Sequence, residues 1–270
     1  MKACIIQPYY SYKQDDLEKC YNDMVKLIDE CDDSLDIIVL PEYCDVPALT
    51  DSDDDFYNAI QKYNTRIKEK VIETAKRCKA VVFANFFDKT ETGYRNTTHA
   101  IDKAGNIVAK YYKVHPAPSE IKNKYIDTSY MYEKSEPYTV DINGVRYGFM
   151  TCYDFYFYED LIPLARKNVD VIIGCSHQRS DTHSALEIIG KFFSYQTNAY
   201  LLRSAVSLGE GSEICGCSMA VAPDGTMLAD MKSKIGKVIV EFDPHKKYYK
   251  PAGFGGKMKS HYEYVDEGRF

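Results

Sequence analysis

The sequence predicts an α/β protein built on large mixed β-sheets, with helices covering one face of the sheets. Three observations carry this expectation. Apolar runs of strand length alternate with longer stretches of helical period. Hairpin signals separate some strands, while helices separate others. No linker, internal repeat or low-complexity tract divides the 270 residues, a length sufficient for one sizeable core.

The elements follow in order. Ala3 to Gln7 reads as a strand, and Gln14 to Cys31 as a helix with Leu17, Tyr21, Met24, Leu27 and Ile28 on one face. Leu35 to Leu40 is a continuous apolar strand. Asp53 to Lys79 is a second helix whose acidic start suits its dipole. Ala80 to Phe87, Tyr94 to Asp102 and Ile107 to Tyr112 are strands, the last two joined by a turn at Lys103-Ala104-Gly105-Asn106. Val114 to Glu133 has no clean period and reads as a functional or mobile segment. Asn143-Gly144 turns between strands Tyr138 to Ile142 and Val145 to Thr151. Tyr158 to Asn168 is helical with Pro163 near its first turn, Val169 to Gly174 a strand, and Ser184 to Thr197 a helix. The remaining strands are Tyr200 to Val206, Cys217 to Ala222, Thr226 to Ala229 and Ile235 to Phe242. One domain is expected over 1–243. A polar, aromatic and Gly-rich arm is expected over 244–270, either packing on a partner subunit or left as a disordered end.

Composition narrows the class. Hydrophobic residues make up 45% and charged residues 27%, as in ordinary globular proteins. A net charge of −6 argues against a nucleic-acid partner. No segment approaches the roughly 20 apolar residues of a membrane span, and the N-terminal apolar stretch is too short for a signal peptide. A cytoplasmic protein with reduced thiols is expected, and nine cysteines, an odd number, fit that expectation. No zinc-ligand spacing occurs, so neither metal nor organic cofactor is expected; Cys215-Gly-Cys217 lies in a strand-like run without a histidine pair.

Three strand ends carry chemistry. Cys152 closes the apolar run Val145 to Thr151 and opens a helix-like stretch, where the helix dipole would favour a thiolate. Glu42 follows the strand Leu35 to Leu40, and Lys113 ends the strand Ile107 to Tyr112. Taken singly, Glu42 reads as a surface loop acid and Lys113 as a solvated lysine. Delivered together to the carboxyl ends of strands, the three make a site. A carboxylate can take the thiol proton. An ammonium and the backbone N–H of Tyr153 can hold the oxyanion formed when sulfur attacks an amide carbonyl.

Four stretches then resemble the nitrilase superfamily of carbon–nitrogen hydrolases: Ile37-Ile38-Val39-Leu40-Pro41-Glu42-Tyr43; Gly93-Tyr94-Arg95-Asn96-Thr97 with Ile101 to Ile107 and Tyr111-Tyr112-Lys113-Val114-His115; Tyr147-Gly148-Phe149-Met150-Thr151-Cys152-Tyr153-Asp154 with Glu159; and Gly216 to Gly225. Their order spans essentially the whole chain. The resemblance implies an αββα sandwich with two mixed sheets and helices on the outer faces, and a homodimer with exchanged C-terminal arms. It also implies a triad of Glu42 as base, Lys113 as oxyanion-binding lysine and Cys152 as nucleophile. Glu120 sits about where amidase-like members carry a second glutamate, with Glu133 as the alternative.

Tyr153, His115, Tyr156 and His177 are the candidate substrate contacts, and Tyr125, Tyr130 and Tyr132 a candidate roof. Tyr153-Asp154 stands where true nitrilases have Trp-Glu, which leans toward a small linear amide or carbamoyl substrate over a nitrile. Phe155, Tyr156 and Phe157 stand where carbamoyl-amino-acid hydrolases often place a carboxylate-gripping arginine. Rival readings are a nitrile hydrolase, a catalytically silent binding protein on the same scaffold, and a redox thiol protein.

Overall fold

A computed structural model describes residues 1–130, 139–251, 257–258 and 262. Two six-stranded mixed sheets lie face to face with helices on their outer sides. The first contains β1 (Lys2–Gln7), β2 (Ile37–Val39), β3 (Val81–Lys89), β4 (Tyr94–Ile101), β5 (Ile107–Tyr112) and β12 (Gly236–Glu241), in the order β12-β1-β2-β3-β4-β5. The second contains β6 (Thr139–Ile142), β7 (Val145–Thr151), β8 (Val171–Cys175), β9 (Tyr200–Ser204), β10 (Met219–Val221) and β11 (Met227–Asp230), in the order β11-β10-β9-β8-β7-β6. Each sheet has a parallel centre, β1-β2-β3 or β7-β8-β9, flanked by antiparallel strands. The parallel steps in each sheet need crossover helices. α1 (Leu17–Asp29) and α2 (Asp53–Cys78) serve the first sheet; α4 (Leu161–Arg166) and α5 (His183–Thr197) serve the second. A short α3 (Pro118–Lys122) follows β5.

Strand alternation divides the core into three layers. Ile5, Ile37, Val39, Phe83, Tyr147, Phe149, Val171, Ile173 and Leu202 fill the space between the sheets. Their neighbours Cys4, Ile6, Ile38, Leu40 and Val82 turn to α1 and α2. Ile172, Leu201, Met219 and Val221 turn to α4 and α5. Both faces are covered, which is why the central strands read as unbroken apolar runs rather than alternating ones.

Four local expectations need correction. Leu35 to Leu40 contracts to the three-residue β2. The stretch after Cys152 is not an α-helix but two 3-10 turns, Cys152–Tyr156 and Tyr158–Asp160, with α4 only from Leu161. Phe157 between the two turns is extended, and this breaks the helical run. Cys217 to Ala222 shortens to β10 because Cys215, Gly216 and Cys217 all adopt positive φ. The irregular segment after Lys113 contains α3, begun by Pro118.

Tyr132, Glu133 and most of the expected C-terminal arm lie outside the described residues. The start of that arm is tied to its own chain. Asn198 donates to the Tyr248 carbonyl and accepts from its N–H, both at 2.9 Å.

Two glycines make a matched test of this backbone. Gly144, φ 80°, has open space where a Cβ would stand, whereas a Cβ at Gly216, φ 66°, would lie 2.1 Å from the Lys232 carbonyl oxygen. Gly144→Ala should cost only the left-handed penalty, about 1–2 kcal/mol. Gly216→Ala should cost distinctly more, because backbone must also move. Equal losses in denaturant titration would contradict this reading of the Cys215–Cys217 turn.

Candidate active site

Topology brings the three strand ends to one edge. β3 and β5 are both antiparallel to β4, so β5 runs in the same direction as β2. Glu42 after β2 and Lys113 after β5 therefore emerge together. A hydrogen-bond distance of 3.1 Å between Thr98 Oγ1 of β4 and Thr151 Oγ1 of β7 joins the sheets one residue before Cys152.

Asparagines fix the loop ends. Asn85 of β3 accepts from the Tyr43 N–H (3.0 Å) through its side chain and from the Cys44 N–H (3.0 Å) through its backbone. This staples the loop that carries Glu42. Asn85 Nδ2 donates to Asn96 Oδ1 (2.6 Å), which leaves both Asn96 amide protons for carboxylates. They go to Glu42 Oε1 and Glu120 Oε1, each at 2.8 Å. The Asn96 carbonyl also receives the Lys113 N–H at 2.9 Å.

Lys113 Nζ stands between the two acids, 2.8 Å from Glu42 Oε1 and 2.5 Å from Glu120 Oε2. Its side chain is 1% exposed, as is that of Glu42. Glu120 Oε2 also accepts the Ala117 N–H, so α3 holds its own acid in place. Burial alone would lower the lysine pKa. The charges of Glu120 and Glu42 outweigh it and hold Lys113 well above its ordinary value.

Cys152 sits on the first residue of its 3-10 turn at φ 49°, a left-handed conformation unusual outside glycine. The Glu42 carboxylate and the Lys113 ammonium both act electrostatically on its thiol. Asp154 holds this turn to the Lys113 loop. It accepts the Thr151 N–H and the Tyr111 hydroxyl on Oδ2, and the His115 N–H on Oδ1, all at 2.8–2.9 Å.

The charge state differs from the thiolate expected of a helix N-terminus. Burial first, then the neighbouring Glu42 charge, pushes the Cys152 thiol well above its ordinary pKa, with Lys113 opposing. Glu42 is itself raised, by burial and by Glu120, against the pull of Lys113. The resting arrangement is a neutral thiol facing a carboxylate whose proton affinity is enhanced. A five-residue 3-10 turn supplies no α-helix dipole to change that.

The other sequence candidates fall in several places. His177 is buried edge-on between Tyr10 and Tyr43, with centroids 5.4 and 5.5 Å away. Burial depresses its pKa well below the ordinary histidine value, so it is neutral. His115 stacks on Phe157 at 3.8 Å and meets Asp154 and Asp160. Tyr153 packs edge-on against Tyr156 and Phe157. Tyr156 is exposed, and its hydroxyl donates to Asp181. Of the proposed roof, Tyr125 stacks on Tyr57 and Tyr130 lies against Arg95.

Glu42 and Lys113 are buried, not a surface acid and a solvated lysine. Asn85, Asn96 and Asp154 escaped the sequence reading as site residues. The asparagines carried a signal, since asparagine is depleted in strands and two occur on neighbouring strands, diagonal to each other, with Asn85 opposite Thr98 and Asn96 opposite Phe87. A cavity of about 310 Å³ reaches Glu120 and His177 and is otherwise walled by Tyr43, Phe56, Ile126 and Arg179, among others.

Known proteins share this architecture. An amidase from Nesterenkonia sp. AN1, whose cysteine has added acrylamide in a glutamine variant, is 15% identical with a TM-score of 0.68 over 90% of this chain and 93% of that one. The C. elegans NitFhit protein is 20% identical with a TM-score of 0.72, over 90% of this chain and 60% of that one. A curated relative, the "Hydrolase in agr operon" of Staphylococcus lugdunensis, is 25% identical over 150 residues. That match spans 55% of this chain and 62% of the relative. The carbon-nitrogen hydrolase profile matches residues 2–246, and with the two-sheet fold this establishes that the chain belongs to the carbon-nitrogen hydrolase family, the nitrilase superfamily.

Proposed function

We propose that this chain is an amidase-like thiol hydrolase that cleaves a small linear amide or carbamoyl compound through a thioester on Cys152, releasing ammonia without metal or organic cofactor. One observation carries the reading: the Cys152 thiol lies within the electrostatic reach of Glu42 and Lys113, and Glu42 is itself held by the Lys113 ammonium and Asn96. The solved amidase of the same fold supports it, since a fluoroacetamide-derived acetamide group is attached to that protein's active-site cysteine.

The chemistry follows from the charges. Glu42 accepts the thiol proton as sulfur attacks the carbonyl carbon, so the nucleophile is charged only while it reacts. Lys113 Nζ, with the Tyr153 N–H, stabilises the oxyanion. The Glu42 proton passes to the leaving nitrogen as the C–N bond breaks and ammonia departs. Glu42 then takes a proton from water, which attacks the thioester, and the returning thiol is reprotonated. Glu120 holds Lys113 in place through both half-reactions.

Two wider features belong to the same proposal. Ile188 and Phe192 on α5, with Tyr158 and Ile162 near α4, are exposed apolar side chains that a second copy would cover in a homodimer. All nine cysteines are free and buried, which fits a reducing cytoplasmic setting.

Replacing Cys152 with alanine should abolish ammonia release from amides, ureido acids and nitriles while preserving the folded circular dichroism spectrum. Mass spectrometry of the unmodified enzyme should find the acyl adduct on Cys152; labelling of another cysteine during turnover would contradict the assignment. Glu42 must be ionised to act as base, so kcat/KM should fall as pH drops through its raised pKa. That limb should lie above the ordinary carboxylate value of about 4.3. An acid limb at or below it would argue against Glu42 as base. Removing the amide donor with Asn96→Leu should move the limb further upward and reduce kcat; an unshifted limb would show that Asn96 does not tune the carboxylate.

A further inference from the structure

Two buried thiols outside the trio meet each other. Cys4 lies in β1 and Cys31 two residues beyond the end of α1, and their sulfurs are 3.9 Å apart, within hydrogen-bond distance. Among the described residues no other two cysteine sulfurs are in hydrogen-bond contact. Cys78, the last residue of α2, is buried in the same layer without a hydrogen bond to either. Among the described residues the one trio of ligand atoms close enough to share a metal ion is His115, Asp154 and Asp160, which includes no cysteine. The chemistry open to Cys4 and Cys31 is therefore with each other.

The pair is fixed on one side and adjustable on the other. Cys4 is held in register with Ile239 of β12 and Ile38 of β2. Cys31 donates its N–H to the Ile28 carbonyl at 3.1 Å, and its own carbonyl receives Arg77. The exposed turn Asp32-Asp33-Ser34 follows at once. A disulfide needs its sulfurs about 2.0 Å apart, so an approach of about 2 Å is required. Cys31, at a helix end beside a solvent-exposed turn, can supply it, and local opening there admits a small oxidant.

The two thiols are not equivalent. The bond to Cys4 first, then the charges of Lys237 and Arg77, hold the Cys31 thiol below its ordinary pKa against burial and Asp32. The same bond, then burial, pushes Cys4 up. Cys31 is thus the sulfur that ionises and Cys4 the one that keeps its proton. Cys152 differs from Cys31, because burial and Glu42 hold its proton in place.

We propose that Cys4 and Cys31 are a peroxide-oxidised pair whose disulfide staples β1 to the connection between α1 and β2. The Cys31 thiolate attacks one oxygen of hydrogen peroxide, the O–O bond breaks, and a sulfenic acid and hydroxide form. That hydroxide takes up the proton which Cys31 released. The Cys4 sulfur then attacks the Cys31 sulfur, the S–O bond breaks, and the Cys4 proton leaves with the hydroxyl as water. Two thiols and one peroxide give one disulfide and two waters, with two electrons passing from sulfur to oxygen. The staple closes a loop across a sequence separation of 27, which restricts the unfolded chain. Cys4 pairs with Ile38, four residues before Glu42, so the staple forms short of the strand ends that carry the trio.

The test treats the full chain with a few-fold excess of hydrogen peroxide, unfolds it in iodoacetamide and digests it with trypsin and Glu-C without reductant. This digestion separates Cys31 from Cys44. Mass spectrometry should find the Cys4 and Cys31 peptides joined, two hydrogens lighter than their sum, and dithiothreitol should release them. Cys152 should be alkylated to the same extent as in untreated protein. Cys4→Ser should leave Cys31 as a sulfenic acid that dimedone captures, whereas Cys31→Ser should leave Cys4 a free thiol. The urea midpoint of the oxidised unmodified protein should lie above that of the reduced protein. Oxidation of Cys152 ahead of this pair, Cys31 joined to Cys78 in place of Cys4, or no linkage at peroxide doses that fully oxidise free cysteine would overturn the proposal. An unchanged or lowered urea midpoint would overturn the staple. The linkage is read in the unmodified chain, so the outcome stands even where a serine variant fails to fold.

Discussion

One buried ammonium, Lys113 between Glu42 and Glu120, is the interaction on which the rest depends. Moving three charges out of water costs several kcal/mol apiece, and the attraction offsets this only where geometry and further hydrogen bonds are good. The chain meets both conditions. Each carboxylate receives an amide proton of Asn96 besides the lysine, and Glu120 receives a backbone N–H as well. Removing one member would strand an uncompensated charge, so the cluster behaves as a unit.

That unit also sets the character of the sulfur. Two acids against one base leave the pocket short of positive charge, which opposes a second anion on Cys152. The nucleophile is therefore made on demand by proton transfer to Glu42. The strained Cys152 backbone and the Asp154 clamp serve geometry instead. Asp154 ties the residue before the cysteine to the residue two beyond the lysine, so the two sheets present their groups in one register.

Much of this was legible in the sequence because period and punctuation are local. The unbroken apolar runs of β1, β3 and β8 follow from burial on both faces, and Asn143-Gly144 marks its hairpin. Glu42, Lys113 and Cys152 could be picked out because each ends a strand. What could not be read was contact across the chain. Glu42 and Lys113 are separated by 71 residues, and nothing local tells that both are buried. Asn96 gains its meaning only once Glu42 and Glu120 are placed around it. The aromatic run after Cys152 has the pattern of a buried helical start, and nothing in it marks the extended Phe157 that splits it into two 3-10 turns. His115 and Tyr156 found partners in Asp154 and Asp181, which only the fold brings near.

The most direct test of the central claim is the ultraviolet thiolate absorbance of the unmodified enzyme minus that of Cys152→Ala, followed with pH. The account requires no Cys152 thiolate signal at neutral pH, because burial and Glu42 hold the proton on sulfur. A full thiolate signal at neutral pH would contradict it, since Glu42 could then no longer be the base that generates the nucleophile.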